Sequence, residues 1–429
     1  MPTTFDRRTI LKGIAAASTG MGAFHPLALS AKPISAVRKS KPLNVVPNWL
    51  PDEASLPVVQ IDVATMRVQS PVATASRGMI VEIPPGDHSS RRLHFSIKEG
   101  WFQPDSLLVL RCSKGRAKVN LIQGGKKQVR TWSTQKRCGV KLQGIDVQMV
   151  KGQSGISIWP MDYIEIIQFD IFYGGSQGSR NGMLIPSNPG TVLKISDGTI
   201  HHCGGSGLYH GIYTNNLSDV LVENVKIYSL GAGGKNHGSH CLKLYGNRVQ
   251  VFNCTLDPSK DETGTAYPNW GSTFAPLDIS GYGQTTIVGN TIIRGATEAR
   301  DEIASWRNRV FPGNKWGAGQ MPELSDRPYR HLFAFNTVVN SSSKQSRWAL
   351  WNDGVWPGQT QGAPTDWATI YADWSNQDSV VYHYGNDWQG NAFKSLVNTQ
   401  PYQDPDPAHV APITELRALP DWARDRLTG

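Results

Sequence analysis

The chain has 429 residues, of which 39% are hydrophobic and 18% are charged, and its Lys and Arg residues exceed its Asp and Glu residues by nine. Its 43 glycines are about 10% of the chain, against ~7% in an average protein, and its charged fraction lies below the usual ~25%. These values exclude a coiled coil, a collagen and a charge-driven disordered chain, and no run of about 18 apolar residues predicts a membrane span. We therefore expect a β-rich protein with many turns and, from its positive charge, an acidic partner.

The first segment of the chain has the pattern of an export signal. Arg7 and Arg8 are followed by Lys12 and a short apolar stretch, and the small residues at 28–31 offer a cleavage site. Residues 1–31 resemble a twin-arginine signal peptide, which implies a bacterial protein that functions in the periplasm or is secreted.

Two short patterns repeat through the middle of the chain. The first contains a turn-forming residue between aliphatic or aromatic positions, and its copies lie 24 to 50 residues apart. Its turn-forming positions are Gly144, Gln168, Asp197, Asn224, Asn253, Asn290, Asn336 and Asn386. The second pattern precedes the first, and its copies are Gly155–Ile158, Gly182–Ile185, Gly211–Thr214, Cys241–Leu244, Pro276–Ile279 and, as a late member, Trp348–Trp351.

The regular copies of both patterns share one period, which indicates stacked and equivalent turns of chain. Short strands in such a stack pair with the turns above and below at ~4.8 Å, and they alternate inward aliphatic with outward polar side chains. The sequence therefore predicts an all-β fold, a right-handed parallel β-helix of eight to ten turns, which is a solenoid with capped ends and loop insertions. The alternative is a propeller, whose repeat of ~40–45 residues is longer and needs hairpin turns that are few here. Asn224, Asn253, Asn290 and Asn336 are expected to share one corner of the stack.

This fold divides the chain into parts of different composition. After the signal peptide, the predicted parts are an extended proline-rich lead-in at 32–74, a β-helix catalytic domain at 75–395, and a C-terminal cap or tail at 396–429 with a short helix near 414–426. Loop insertions that would wall a cleft are expected at 258–273, 294–329 and 355–378.

One face of the predicted stack carries a column of titratable residues. If Ile212, Leu242 and their equivalents point inward, then Tyr213, Lys243 and Asp278 point outward from three consecutive turns, about 5 Å apart. His210 and His240 precede the same strands at the corner and are also expected to stack. Such mixed groups on rigid strands suit general acid–base chemistry, so these five are the candidate catalytic residues. An exposed surface pair of Lys and Asp is the alternative interpretation.

Several residues near this column are candidates for binding the substrate. They lie in or beside glycine-rich and aromatic segments that would form the cleft walls, and they are Lys235, His237, Arg248, Trp270 and Arg300. Exposed Trp side chains in a groove favour carbohydrate, because sugar rings stack on aromatic faces.

The segments Tyr209–Tyr213, His240–Lys243, Leu277–Ile279 and Gly289–Asn290 resemble the core of bacterial right-handed β-helix proteins of the pectate-lyase-like superfamily. The resemblance covers roughly residues 75–395, and it implies a polysaccharide lyase, a uronan epimerase or a glycoside hydrolase. The catalytic patterns of polygalacturonases, pectate lyases and alginate epimerases are absent from the sequence, so no catalytic residue is carried over from those families.

The reaction favoured by these residues is β-elimination on an acidic, uronate-containing polysaccharide. Hydrolysis needs two carboxyl groups, whereas the column contains one, and elimination needs a cation, a base and an acid. The alternatives are a glycoside hydrolase, a uronan epimerase and, in another class, a non-catalytic carbohydrate-binding or scaffold protein. No nucleic acid is expected as a partner, no metal site is assigned although Ca²⁺ stays an alternative, and the protein is expected to be a monomer or homotrimer.

The five cysteines, Cys112, Cys138, Cys203, Cys241 and Cys254, have no spacing typical of a zinc or redox site. Packing in the core is the expected role of most of them, with a Cys112–Cys138 disulfide as the alternative.

Overall fold

Strands occupy most of the part of the chain that the computed structural model describes, and that part belongs to one unit at 38–429. The described residues are 42–69, 76–98, 101–126, 137–159, 161–173, 180–186, 190–203, 209–215, 217–230, 240–258, 276–281, 284–294, 302–308, 330–340, 347–352, 381–390, 410–413 and 415–428. The predicted signal peptide at 1–31 lies outside them.

Within these ranges the chain forms 25 strands and one α-helix, and every pairing between strands is parallel. The strands are β1 (Val58–Gln60), β2 (Gly78–Glu82), β3 (Gly86–Ile97), β4 (Ser106–Arg111), β5 (Ala117–Lys126), β6 (Cys138–Gln143), β7 (Ile145–Met149), β8 (Ile156–Ile158), β9 (Tyr163–Tyr173), β10 (Met183–Pro186), β11 (Val192–Cys203), β12 (Ile212–Asn215), β13 (Leu217–Leu230), β14 (Leu242–Phe252), β15 (Thr255–Asp257), β16 (Leu277–Gly281), β17 (Gln284–Val288), β18 (Thr291–Arg294), β19 (Glu302–Asn308), β20 (Arg330–Ala334), β21 (Thr337–Asn340), β22 (Arg347–Asn352), β23 (Val381–Tyr384), β24 (Asp387–Gly390) and β25 (Val410–Ile413). The helix α1 is Asp421–Thr428, and short 3₁₀ turns lie at Glu53–Ser55 and Leu416–Ala418.

The strands pair in three parallel ladders. Ladder A contains β3, β5, β8, β10, β12, β14, β16, β19 and β22. Ladder B contains β1, β2, β4, β6, β9, β11, β13, β14, β17, β20, β23 and β25. Ladder C contains β3, β5, β7, β9, β11, β13, β15, β18, β21 and β24. The fold is therefore all-β, with a long series of parallel strands that is compatible with a parallel β-helix.

The inward positions predicted for the second pattern form the core of ladder A. Ile156, Met183, Ile212, Leu242 and Leu277 lie opposite one another in consecutive strands, and each is fully buried. Burial of each such side chain contributes about 1.5–3 kcal/mol, so this row fixes which side of each strand faces outward. The predicted late copy also aligns, because Leu277 lies opposite Ala304, which lies opposite Trp348.

The five cysteines are also part of the interior. None of the five forms a disulfide and all are buried, so the prediction of core packing is confirmed and the alternative of a Cys112–Cys138 disulfide is wrong. Burial raises the pKa of the Cys138 thiol to about 11 and that of Cys203 to about 12, which keeps both protonated.

The corner between ladders B and C is built on residues in the left-handed conformation. These residues are Gly144, Gln168, Asp197, Asn224, Asn253, Gly289, Phe335 and Gly385. Asn224 and Asn253 share this corner as predicted, because Lys226 pairs with Thr255 two residues further along. The alignment of Asn290 and Asn336 with them was wrong by one residue, since Gly289 and Phe335 take the left-handed position there.

The asparagines that follow this position in the later turns form a buried ladder of their own. Asn290 and Asn336 are at most 1% exposed, and the backbone N–H of Asn290 donates to Asn336 Oδ1 at 2.9 Å. The backbone N–H of Asn336 donates in the same way to Asn386 Oδ1, also at 2.9 Å. The one-residue shift therefore moves the side chain from solvent to the interior, where its amide satisfies backbone groups of the neighbouring turns.

Three segments predicted as lead-in, insertion and tail contain short strands that join a ladder without a strong pattern of their own. The predicted lead-in at 32–74 contains β1, which pairs with β2. The predicted insertion at 294–329 contains β19, and the predicted tail contains β25 and a helix that begins only at Asp421. Ladder B therefore has twelve strands in the described residues, more than the eight to ten turns predicted.

A buried histidine in ladder B gives the fold an acid-sensitive point. His331 is 6% exposed, its Nδ1 lies 2.7 Å from Thr285 Oγ1, and burial lowers its pKa to about 3. The unfolded chain binds a proton at this residue near pH ~6.5, so its stabilising contribution is complete above that pH and is lost as the pH falls toward about 3.

We expect the free energy of unfolding of His331→Gln to fall less steeply than that of the wild type between about pH 6 and about pH 4, by about 1 kcal/mol per pH unit. Urea unfolding at several pH values measures this, and parallel curves for the two proteins would contradict it.

Candidate active site

The predicted column of titratable residues lies on three adjacent strands of ladder A. Tyr213 of β12 pairs with Lys243 of β14, and Lys243 pairs with Asp278 of β16, which is the predicted register. Each follows a fully buried aliphatic residue, so the strand alternation turns it to the opposite side of the strand. The fold therefore brings the three side chains together from positions 35 and 30 residues apart in the sequence.

Asp278 is the centre of this group. Its Oδ2 lies 3.3 Å from Lys243 Nζ and 3.4 Å from His240 Nε2. The Asp278 side chain is 0% exposed and that of Lys243 is 13% exposed, so the expectation that the whole column faces solvent was wrong for the carboxyl group. The fold can accommodate a carboxylate at this depth because an ammonium and an imidazole lie within ion-pair distance of it.

The two predicted histidines form a stacked pair beside Asp278. The rings of His210 and His240 have centroids 5.3 Å apart at an interplanar angle of 23°. The backbone N–H of His240 donates to His210 Nδ1 at 3.1 Å, so the neutral His210 ring carries its proton on Nε2. The backbone N–H of His210 in turn donates to Asn181 Oδ1 at 2.6 Å. These contacts connect Asn181, His210, His240 and Asp278 in a chain of buried polar groups.

Asn181 is a residue of this group that sequence reasoning missed. It precedes Gly182 in the second pattern, and His210 and His240 occupy the equivalent position one and two turns later. The signal was present, because a polar residue stands two positions before each of four consecutive strands of ladder A, as Ser154 before β8, Asn181 before β10, His210 before β12 and His240 before β14.

Tyr213 is held by aromatic neighbours on the same face. Its ring centroid lies 5.3 Å from that of His210 and 5.9 Å from that of Tyr245, to which it is perpendicular. Lys243 Nζ lies 6.0 Å from the Tyr213 ring, at the outer limit of a cation–π contact. Tyr245, a second residue that the sequence did not single out, is placed by its backbone N–H, which donates to Thr214 Oγ1 at 2.9 Å.

Of the five predicted substrate-binding residues, Arg248 is the one among the described residues, and it does not lie in the column. Arg248 lies in the part of β14 that belongs to ladder B, where it forms a two-pronged ion pair with Asp219 at 2.6 and 2.8 Å. This pairing raises the pKa of Arg248, chiefly through the hydrogen bond to Asp219. The other four candidates, Lys235, His237, Trp270 and Arg300, lie outside the described residues.

Two further properties bear on the type of site. In the described part of the chain, no three His, Cys, Asp or Glu side chains are grouped so that they could hold a metal ion. None of the helices in the same residues has the length and apolar character needed to cross a membrane.

Comparison with protein-family models, with curated proteins and with solved structures finds no match to this chain. Its function is therefore inferred from the chemistry of its own residues.

Proposed function

We propose that the protein is an exported polysaccharide lyase with a right-handed parallel β-helix fold of the pectate-lyase-like type. In this proposal it works in the periplasm or outside the cell, and it cleaves a uronate-containing polymer by β-elimination. The observation that supports it best is the group of Lys243, Asp278 and His240, in which Lys243 Nζ and His240 Nε2 both lie within 3.4 Å of Asp278 Oδ2. A scaffold protein has no need of such a group, because burying a carboxylate with its partners costs folding free energy that apolar residues would not.

Elimination requires a base for the proton on C5 and an acid for the oxygen on C4. Lys243 is the base, because its side chain reaches solvent while the carboxylate behind it is fully buried. Transfer of a proton from Nζ to Asp278 Oδ2, over 3.3 Å, removes both charges from a desolvated pair and leaves a neutral amine toward the substrate. His240 Nε2 lies 3.4 Å from the same Oδ2, so the imidazole and the ammonium approach one oxygen of this carboxyl group.

The bond changes balance with the residues of the column. The amine of Lys243 takes the C5 proton, the C4–C5 double bond forms, and the C4–O bond breaks. Tyr213, one strand away from Lys243, donates its phenol proton to the departing oxygen. A cation is also needed to neutralise the substrate carboxylate. Lys235 stays a predicted candidate for that role, whereas Arg248, the other candidate, pairs with Asp219 in ladder B.

Two alternatives share parts of this site. Epimerisation begins with the same removal of the C5 proton and differs only in returning a proton to the opposite face of the sugar. Hydrolysis needs two carboxyl groups, about 5–5.5 or 6.5–9.5 Å apart, and in the described part of the column Asp278 is the one carboxyl group. The single carboxylate favours elimination over hydrolysis.

The proposal predicts an unsaturated product from at least one uronate polymer. Purified protein incubated with polygalacturonate, polymannuronate and polyguluronate should raise ultraviolet absorbance and reducing ends in parallel. Tyr213→Phe should lower kcat by about 10²–10⁴-fold, because it removes the acid, whereas Tyr245→Phe should have little effect.

The other possible results assign other functions. Reducing ends that rise without absorbance would identify a glycosidase, and inversion at C5 without cleavage would identify an epimerase. Binding without any chemical change would favour the scaffold.

A further inference from the structure

A basic groove lies at the N-terminal end of ladder A, away from the column. It has a volume of about 830 Å³, and its lining includes parts of β3 and β5 and the residue that follows β8. Its basic lining residues are Arg67, Arg91, Arg92, His94 and Lys126, of which Lys126 forms an ion pair with Asp162 outside the lining, and its aromatic lining residues are Phe95 and Trp159. No Asp or Glu is among the described residues that line it, so the groove carries positive charge without an acidic group on its walls.

The arginines of this groove keep their charge available. Arg67, Arg91 and Arg92 are exposed, and none forms an ion pair with another residue in the described part of the chain. Arg92 donates to Gln123 Oε1 at 3.2 Å, which orients its guanidinium without neutralising it. The pKa of His94 is lowered by its burial and further by the charges of Arg67 and Arg92, as expected beside uncompensated cations.

Trp159 gives the groove an apolar surface. Its residue is 46% exposed, which is unusual for the largest apolar side chain, and its backbone N–H donates to Gly124 O at 2.9 Å. Gly125 has a φ of +147°, and its backbone lies so close to that of Trp159 that a Cβ at position 125 would be 2.7 Å from Trp159 O. The ring is therefore presented from a fixed backbone beside the basic residues, and a flat ring beside cations suits an acidic sugar.

The groove and the column lie on one continuous row of ladder A. Gln123, which lines the groove, pairs with Ser157, which pairs with Leu184, which pairs with Tyr213. Three steps of ~4.8 Å separate Gln123 from Tyr213, which is about 14 Å along the ladder. The intervening Ser157 and Leu184 carry no charge, so no acidic group of this row separates the two sites.

We propose that this basic groove is a binding subsite for the carboxylates of the acidic polysaccharide whose chain is cleaved at the column. The proposal rests on the proposed function for the identity of the polymer. Arg67, Arg91 and Arg92 bind uronate carboxylates two or more sugars away from the reacting bond, and Trp159 stacks on a sugar ring. Guanidinium groups suit this role because they bind carboxylates in a two-pronged geometry.

Direct binding measurements test the subsite independently of catalysis. The double variant Arg91→Gln/Arg92→Gln should weaken binding of polygalacturonate, or of whichever uronate polymer the wild type binds best, by about tenfold or more in calorimetry at low salt. Its binding should also depend less on salt concentration, because fewer counterions are displaced. The matched control is Arg417→Gln/Arg424→Gln, which removes the same two charges from residues near the C-terminus that pair with Glu415 and Asp421.

The outcomes separate this proposal from the proposed function. If Arg91→Gln/Arg92→Gln binds the polymer within about twofold of the control variant, the subsite is wrong, whether or not the protein is a lyase. If binding weakens but no unsaturated product forms with the wild type, the subsite stands and the lyase is wrong. Tighter binding of a single-stranded oligonucleotide than of any uronate polymer would overturn the subsite in favour of nucleic acid. Trp159→Ala should weaken polymer binding without changing far-ultraviolet circular dichroism.

Discussion

Replacing Lys243 by Ala is expected to lower kcat on the uronate substrate by about 10²–10⁴-fold, with a much smaller effect on KM. The reason is geometric, because Lys243 joins a solvent-accessible position to the buried carboxylate of Asp278, 3.3 Å from its Nζ. Asp278→Asn should cause a loss of similar size, since an amide cannot receive the proton from Nζ. The exposed Lys226 of ladder C provides the control, and Lys226→Ala should keep wild-type kcat.

Stability has to be measured beside activity, because removing one partner of a buried ion pair weakens the compensation of the other partner's charge. Lys243→Ala leaves the Asp278 carboxylate with His240 and is expected to cost about 3–5 kcal/mol of folding free energy. The double variant Lys243→Met/Asp278→Asn removes both charges and should recover most of that stability while staying inactive. A double variant that is stable and fully active would show that the reaction takes place elsewhere.

The register of the column could be predicted because the sequence repeats a strong local signal. Each strand of ladder A from β8 to β16 begins with buried aliphatic positions, and alternation then determines the side on which Tyr213, Lys243 and Asp278 lie. Alternation does not say how much material covers that side, so the complete burial of Asp278 could not be predicted. The groove was missed for another reason, since Arg67, Arg91 and Trp159 come from separate turns and each alone resembles a surface residue.

At the corner between ladders B and C, the presence of an asparagine does not by itself indicate which of two neighbouring positions the residue occupies. Asparagine suits two neighbouring positions there, the exposed left-handed one and the buried one that follows it. Asn253 occupies the first and Asn290 the second, so aligning them by type produced a shift of one residue. Weak strands such as β19 were missed because their pairing is determined by the turns on either side rather than by their own composition.

Asn336 carries the hydrogen bonds that join three of the later turns. Its Oδ1 accepts from the backbone N–H and the side-chain Nδ2 of Asn290, both at 2.9 Å. Its own Nδ2 donates to Ile287 O at 3.0 Å and to Asn386 Oδ1 at 3.1 Å. The side chain is fully buried, so water cannot replace these partners if the amide is removed.

Asn336→Leu is therefore expected to lower the free energy of unfolding by about 3–6 kcal/mol, although Leu has the same number and branching of side-chain heavy atoms as Asn. Two or three buried polar groups on Asn290, Ile287 and Asn386 lose a partner, and each such loss costs about 1–3 kcal/mol. The matched control is Asn253→Gly, at an exposed left-handed position that glycine adopts readily, which should change stability by less than about 1 kcal/mol. Urea unfolding followed by circular dichroism measures both variants. Equal losses in the two would mean that the buried amides contribute no more than the exposed ones, and that apolar packing of the strands alone holds the later turns together.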